Sequence, residues 1–153
     1  MKSLELKAPP FLQFGLFALA MWGVDLQCPQ ATLSIPWRRP LAVVIFATGF
    51  SCGVAGVICF LKARTTVHPG RPERAVKLVT GGIYRITRNP MYLGLLLMLA
   101  AWALVLSNAP AIVLLPGFVF CMNRLQILPE ERILRAKFGA EFDAYARSVR
   151  RWL

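Results

Sequence analysis

Apolar runs broken by short charged stretches organise this chain of 153 residues. After Pro9-Pro10, an apolar run predicts a first helix over about 10–26, at the short end of what spans a bilayer. A basic n-region before an apolar run is also the pattern of a signal peptide, but no small-x-small cleavage site follows it. Pro29, Pro36 and Pro40, with Trp37 beside Arg38 and Arg39, predict a helix-breaking connection at a membrane interface. Leu41–Leu61 carries no charge and predicts the clearest span; its Gly49, Gly53 and Gly56 share one face, where they let another helix approach closely. A groove for an acyl or prenyl chain is the alternative use of that face. Asn89 to Asn123 is uncharged and too long for one helix, and Ser107-Asn108-Ala109-Pro110 supplies a turn within it. The prediction is a helical hairpin, spans 91–106 and 111–126, with Pro116 kinking the returning arm. From Pro129 the pattern changes again. Leu134, Phe138, Phe142, Tyr145 and Val149 form one apolar face opposite Arg135, Lys137, Glu141, Arg147 and Arg150, an amphipathic helix over 129–150.

The reading is an all-α integral membrane protein, one domain over 1–153, with four predicted transmembrane helices, a cytosolic loop over 62–90 and a C-terminal amphipathic helix. Composition agrees: the chain is 57% hydrophobic and only 16% charged, with mean hydropathy +0.56, above the roughly 45–50% apolar content of ordinary soluble domains. The net charge of +11 would suit nucleic acid, but its placement argues otherwise. If the connections alternate sides, all the Lys and Arg except Arg38 and Arg39 fall on one face, the positive-inside pattern. That accounts for the charge without a nucleic-acid partner, and it places both termini in the cytosol, with the bacterial inner membrane as the expected location. The expected partner is the lipid bilayer; oligomeric state is left open. Cys28, Cys52, Cys59 and Cys121 form no Cys-x-x-Cys, and His68 is the sole histidine, so no metal site is expected and the thiols read as packing residues.

With four spans, Leu78–Gly94 and Glu130-Glu131 meet at the cytosolic mouth of the hairpin. The residues gathered there are Tyr84, Arg85, Arg88, Asn89, Tyr92, Arg124, Glu130 and Glu131, with Thr80-Gly81-Gly82 alongside. His68 lies outside this set, so no Ser/His/Asp arrangement exists, and neither a P-loop nor Gly-x-Gly-x-x-Gly is present. A pocket with two carboxylates and aromatic faces suits a small cationic cofactor such as S-adenosylmethionine. Methyl transfer needs alignment more than acid–base groups. Each residue also has a bland use: arginines as inner-face anchors, tyrosines as interface aromatics, glutamates as charges on a helix N-terminus. Asn89-Pro90 at the start of a membrane helix fits those uses least, because it disrupts backbone bonding where lipid begins.

Leu78-Val79-Thr80-Gly81-Gly82-Ile83-Tyr84-Arg85 followed by Arg88-Asn89-Pro90-Met91-Tyr92-Leu93-Gly94 resembles the signature of the isoprenylcysteine carboxyl methyltransferase family, and more loosely of the phospholipid N-methyltransferases. A second block resembles it too: Glu130-Glu131-Arg132, Leu134, Phe138-Gly139, Phe142, Tyr145 and Val149 to Leu153. The resemblance covers about residues 62–153. It implies an integral-membrane methyltransferase using S-adenosylmethionine, and a lipophilic or small thiol, carboxylate or amine acceptor. By position, Lys77, Leu78, Val79 and Tyr84 would line the cofactor pocket; Asn89, Pro90, Met91 and Tyr92 would contact the cofactor; and Glu130 or Glu131 would hold its polar groups. Arg88, bracing the turn, and Arg124, facing an acidic acceptor, are the candidates for catalytic positions. Asn89 stands where eukaryotic members usually carry His. The other classes are an NADPH-dependent reductase of the sterol-reductase-like superfamily, whose members are much longer, and a non-enzymatic membrane scaffold.

Overall fold

The computed structural model describes residues 5, 6, 8–63 and 76–153. Lys2, Lys7, His68 and the Pro69-Gly70-Arg71-Pro72 stretch of the basic loop lie outside the described residues. Four helices form the body: α1 (Pro10–Gln27), α2 (Arg38–Lys62), α3 (Pro90–Leu106) and α4 (Ala109–Met122). A π-helical segment (Asn123–Ile127) leads into α5 (Leu128–Phe138), and α6 (Ala140–Ser148) follows. No strand occurs among the described residues, only an isolated bridge between Thr32 and Asn108.

The helices start where sequence chemistry permits. α1 and α3 open on proline, whose missing N–H and fixed φ suit the first helical turn. α2 begins three residues earlier than expected, at Arg38, because Pro40 is tolerated in a first turn. Its N-cap, Trp37, is left-handed at φ 59° and 81% exposed. At the hairpin turn, Asn108 caps α4 by accepting from the Ala111 N–H at 3.3 Å. Its amide also donates to the Cys28 carbonyl at 2.8 Å, tying the connection after α1 to the same turn.

α3 is the centre of the packing. On one side its Tyr92, Leu95, Leu99 and Ala103 join Met21, Ala111, Phe118, Met122 and Ile127 in the core. On the other side α2 lies against it through glycines. A Cβ on Gly94 would stand 2.6 Å from the Gly49 carbonyl oxygen and 3.0 Å from the Gly53 nitrogen, and one on Gly56 would meet Met91 and Pro90. The glycine face of α2 therefore serves close helix approach. Because the obstacles are backbone atoms, Gly94→Ala is expected to push the helices apart and to cost about 1–3 kcal/mol. A fall in unfolding temperature in detergent checks this.

The returning arm departs from expectation in two places. It does not stop at residue 126: helical structure continues from Ala109 to Phe138, with Pro116 inside it and Pro129 in the first turn of α5. The departure from α-helical bonding falls at Asn123–Ile127, where the π segment absorbs an extra residue. The expected single amphipathic helix over 129–150 is in fact two, because Gly139, at φ +51°, adopts a positive-φ backbone open chiefly to glycine that ends α5 and turns the chain. An Arg135–Asp143 ion pair at 2.7 Å spans that turn.

Among the described residues two helices are long and apolar enough to cross a membrane, Arg38–Lys62 and the continuous Ala109–Phe138 run; Pro90–Leu106 is a shorter apolar helix. Large apolar side chains also cover the outside of α1, α2 and α4, among them Phe11, Leu16, Leu19, Val43, Phe46, Phe50, Val113 and Phe120.

Candidate functional site

The start of α3, the start of α5 and the chain's last residues converge. Glu130 and Glu131 are neighbours in sequence, but a helix turns about 100° per residue, so they face different partners. Glu130 accepts a hydrogen bond from the Tyr92 hydroxyl at 2.5 Å, with Tyr92 buried in the body of the protein. Among the described residues Glu130 has no cationic partner, and its second oxygen accepts from no side chain or backbone group.

Glu131 is saturated. Its Oε1 accepts from Arg88 Nη2 at 2.9 Å and from Arg151 Nε at 3.0 Å, and its Oε2 accepts from Arg151 Nη2 at 2.7 Å. Arg88 and Glu131 are each only 12% exposed at the side chain, so this is a charge network largely withdrawn from water. Bonding to Glu131 raises the Arg151 guanidinium further above its already high value.

The segment Val149–Leu153 is drawn over the same place. Arg88 N–H donates to the Arg150 carbonyl at 3.0 Å, and Asn89 Nδ2 donates to the Arg151 carbonyl at 2.9 Å. The buried Thr87 hydroxyl donates to that carbonyl at 3.3 Å. Trp152 Nε1 donates to Asn123 Oδ1 at 3.1 Å, pinning the segment to the π turn. α6 roofs the Gly82–Arg85 turn: Tyr145 donates to the Tyr84 carbonyl at 2.8 Å and Arg88 Nη1 donates to the Ala146 carbonyl at 2.8 Å. Burial pushes both the Tyr84 and the Tyr145 hydroxyls well above the usual tyrosine range, so both stay neutral.

Gly82 enters that turn at φ +61°, and a Cβ there would lie 2.7 Å from Cys59 Sγ. Both facts require glycine. Tyr84 packs edge-on against Phe60, ring centroids 5.4 Å apart, which fixes the turn to the last turn of α2. Gly81 has open space where a side chain would stand.

Of the residues expected from sequence, Tyr92, Glu130, Glu131, Arg88 and Asn89 are brought into one connected cluster. Pro90 is buried and Met91 half-buried, both against α2 at Gly56. Tyr84 is buried one turn away, and Leu78 is buried, Val79 half-buried and Lys77 exposed on the approach to it. Arg124 is not in the cluster; it is exposed on the π segment. Arg151, Thr87 and Tyr145 also bond within this cluster and were not singled out from the sequence, although Tyr145 and Arg151 belong to the second block quoted above.

A family model described as phospholipid methyltransferase matches residues 37–141. Protein-S-isoprenylcysteine O-methyltransferase A of Arabidopsis thaliana is 35% identical over 113 residues, which is 74% of this chain and 57% of that protein. A probable protein-S-isoprenylcysteine O-methyltransferase of Oryza sativa subsp. indica is 34% identical over 73 residues, 48% of this chain and 38% of that one. An uncharacterized protein of Haemophilus influenzae is 48% identical over 63 residues, 41% of this chain and its own whole length. The matches thus extend over 57% and 38% of these two plant relatives. No solved structure matches the chain.

Proposed function

The chain belongs to the phospholipid methyltransferase family, and from that premise we propose that it is an integral-membrane methyltransferase that uses S-adenosylmethionine. The single observation that carries the choice of cofactor is Glu130: a carboxyl group oriented by the Tyr92 hydroxyl, with no cationic partner among the described residues, while Glu131 next to it is matched by two arginines. A buried carboxyl group beside aromatic rings, with no compensating cation among the described residues, is ionised most favourably when a cationic ligand binds against it. S-adenosylmethionine, bearing an amino group and a sulfonium, is of that kind, and it supplies an electrophilic methyl group when bound.

The protein's part is to bind, orient and exclude water. On this reading Glu130 and Tyr92 receive the cationic groups. Leu78, Val79 and the Gly81-Gly82 backbone form the wall next to them, with Lys77 at the rim, and Asn89, Pro90 and Met91 shape the floor at the start of α3. Arg88 positions the site by holding Glu131 and the α6 backbone. Holding donor and acceptor in line is the main source of acceleration open to such a site, since well-oriented reactions gain about 7–11 kcal/mol. The acceptor is a lipophilic or small thiol, carboxylate or amine compound reaching the site from the bilayer. The topology that goes with this reading is four spans, with both termini in the cytosol of a bacterial inner membrane.

Titration calorimetry of the detergent-purified protein against S-adenosylmethionine and NADPH tests the reading. Binding of S-adenosylmethionine alone is expected. Binding of NADPH alone would favour a sterol-reductase-like activity instead, and binding of neither would remove both. Tracing a labelled methyl group into lipid, quinone or thiol fractions then identifies the acceptor.

A further inference from the structure

The helices leave an unfilled volume at the other end of the bundle from the carboxylate cluster. α1, α2 and α3 enclose an apolar cleft of about 540 Å³, walled by Phe14, Ala18, Ala42, Phe46, Met98 and Trp102, with Arg39 at its mouth. α2 and α3 run antiparallel, Gly56 meeting Pro90 and Gly49 meeting Gly94, so Arg39 lies beside the end of α3 remote from Tyr92. Thirteen residues separate Tyr92 from Val105, which also lines the cleft, a rise of roughly 20 Å. This is a different place from the carboxylate cluster.

Side-chain rearrangement does not close the cleft. Trp102 is held by its Nε1–H donating to the Ala18 carbonyl at 3.1 Å, and Ala18 and Ala42 are too short to reach across. The volume falls within the roughly 300–1,000 Å³ of ligand pockets. In a bilayer such a cleft fills with hydrocarbon, and because lipid tails are as apolar as its walls, the tail itself gives little selectivity.

Selectivity comes from the mouth. Arg39 is exposed and has no hydrogen-bond or ion-pair partner among the described residues. Asp25, the acidic residue at that end of α1, makes no ion pair with it. A cation with no counter-charge above an apolar cleft matches an amphiphile with an anionic head and a hydrocarbon tail. We propose that the cleft binds one acyl chain of an anionic bilayer phospholipid whose phosphate pairs with Arg39. The site rests on the bilayer-embedded reading of the helices and not on methyl transfer.

Native mass spectrometry of the detergent-solubilised full chain, with phosphatidylglycerol and phosphatidylcholine of the same chain composition, tests it. One phosphatidylglycerol per chain is expected to be retained over phosphatidylcholine by roughly fivefold, the effect of one basic residue near an anionic head. Arg39→Gln is expected to remove that preference without changing S-adenosylmethionine binding, and Ala42→Phe, which fills the cleft, to abolish retention of both lipids. Equal retention of the two lipids by the wild type, or a preference surviving in Arg39→Gln, overturns the proposal. So does a dimer that carries no lipid, since a second copy would then occupy the cleft. A chain that stays soluble without detergent overturns the bilayer premise and this site with it, whereas failure to bind S-adenosylmethionine touches only the proposed activity.

Discussion

Glu130→Gln is expected to lower the affinity for S-adenosylmethionine by about 10- to 100-fold while leaving the unfolding temperature nearly unchanged. The substitution keeps the shape of the side chain and an oxygen for the Tyr92 hydroxyl, which donates to it at 2.5 Å. It removes only the ability to set a negative charge against a bound cation, and a hydrogen bond to a charged group contributes about 1.5–3 kcal/mol. Stability is spared because Glu130 has no ion pair to lose among the described residues. Calorimetry with both S-adenosylmethionine and its demethylated product adds resolution. If the carboxylate holds the amino group, both ligands weaken together; if it faces the sulfonium, only the methyl donor weakens. Unchanged affinity for both would remove Glu130 from the site.

Glu131→Gln should behave in the opposite way, as a stability variant first. It leaves Arg88 and Arg151 without their shared carboxylate, and breaking a largely buried pair costs about 3–5 kcal/mol. Arg151 is 34% exposed at the side chain, so water relieves part of the loss and a value near about 3 kcal/mol is expected. The drop in unfolding temperature should be accompanied by faster proteolysis of Val149–Leu153, because the Arg88, Asn89 and Thr87 contacts to that segment are organised around the same carboxylate. An unfolding temperature equal to that of wild type would show the network to be dispensable.

The contrast between the two glutamates marks the limit of what could be read from the sequence. Their convergence with Tyr92 was legible, because the helical hairpin of α3 and α4 returns the chain to the end of α3 where Tyr92 stands. Their division of labour was not: it depends on the angular phase of α5, and the π segment before it shifts that phase by an amount no apolar period reveals. The helices were legible as uncharged runs, and the glycine face of α2 as close packing, because both follow from local composition. The break between α5 and α6 was missed because the apolar spacing runs on through Phe138 and Phe142, while Gly139 between them acts through its backbone. Arg151 was missed for a related reason. Its partner is set by that chain reversal, and among several arginines in the tail nothing local singles it out.

The unequal lengths of α2 and α3 have a consequence for how an acceptor would arrive. Gly56 packs against Pro90, the first residue of α3, so the six residues of α2 from Val57 to Lys62 extend roughly 9 Å past that start. On the proposed membrane-embedded reading, the Tyr92–Glu130 pair lies below the end of α2, at a depth that membrane-dissolved compounds would reach by lateral diffusion. Turnover on such compounds would follow their mole fraction in the bilayer rather than their bulk concentration, a two-dimensional kinetics in which inert lipid acts as a diluent.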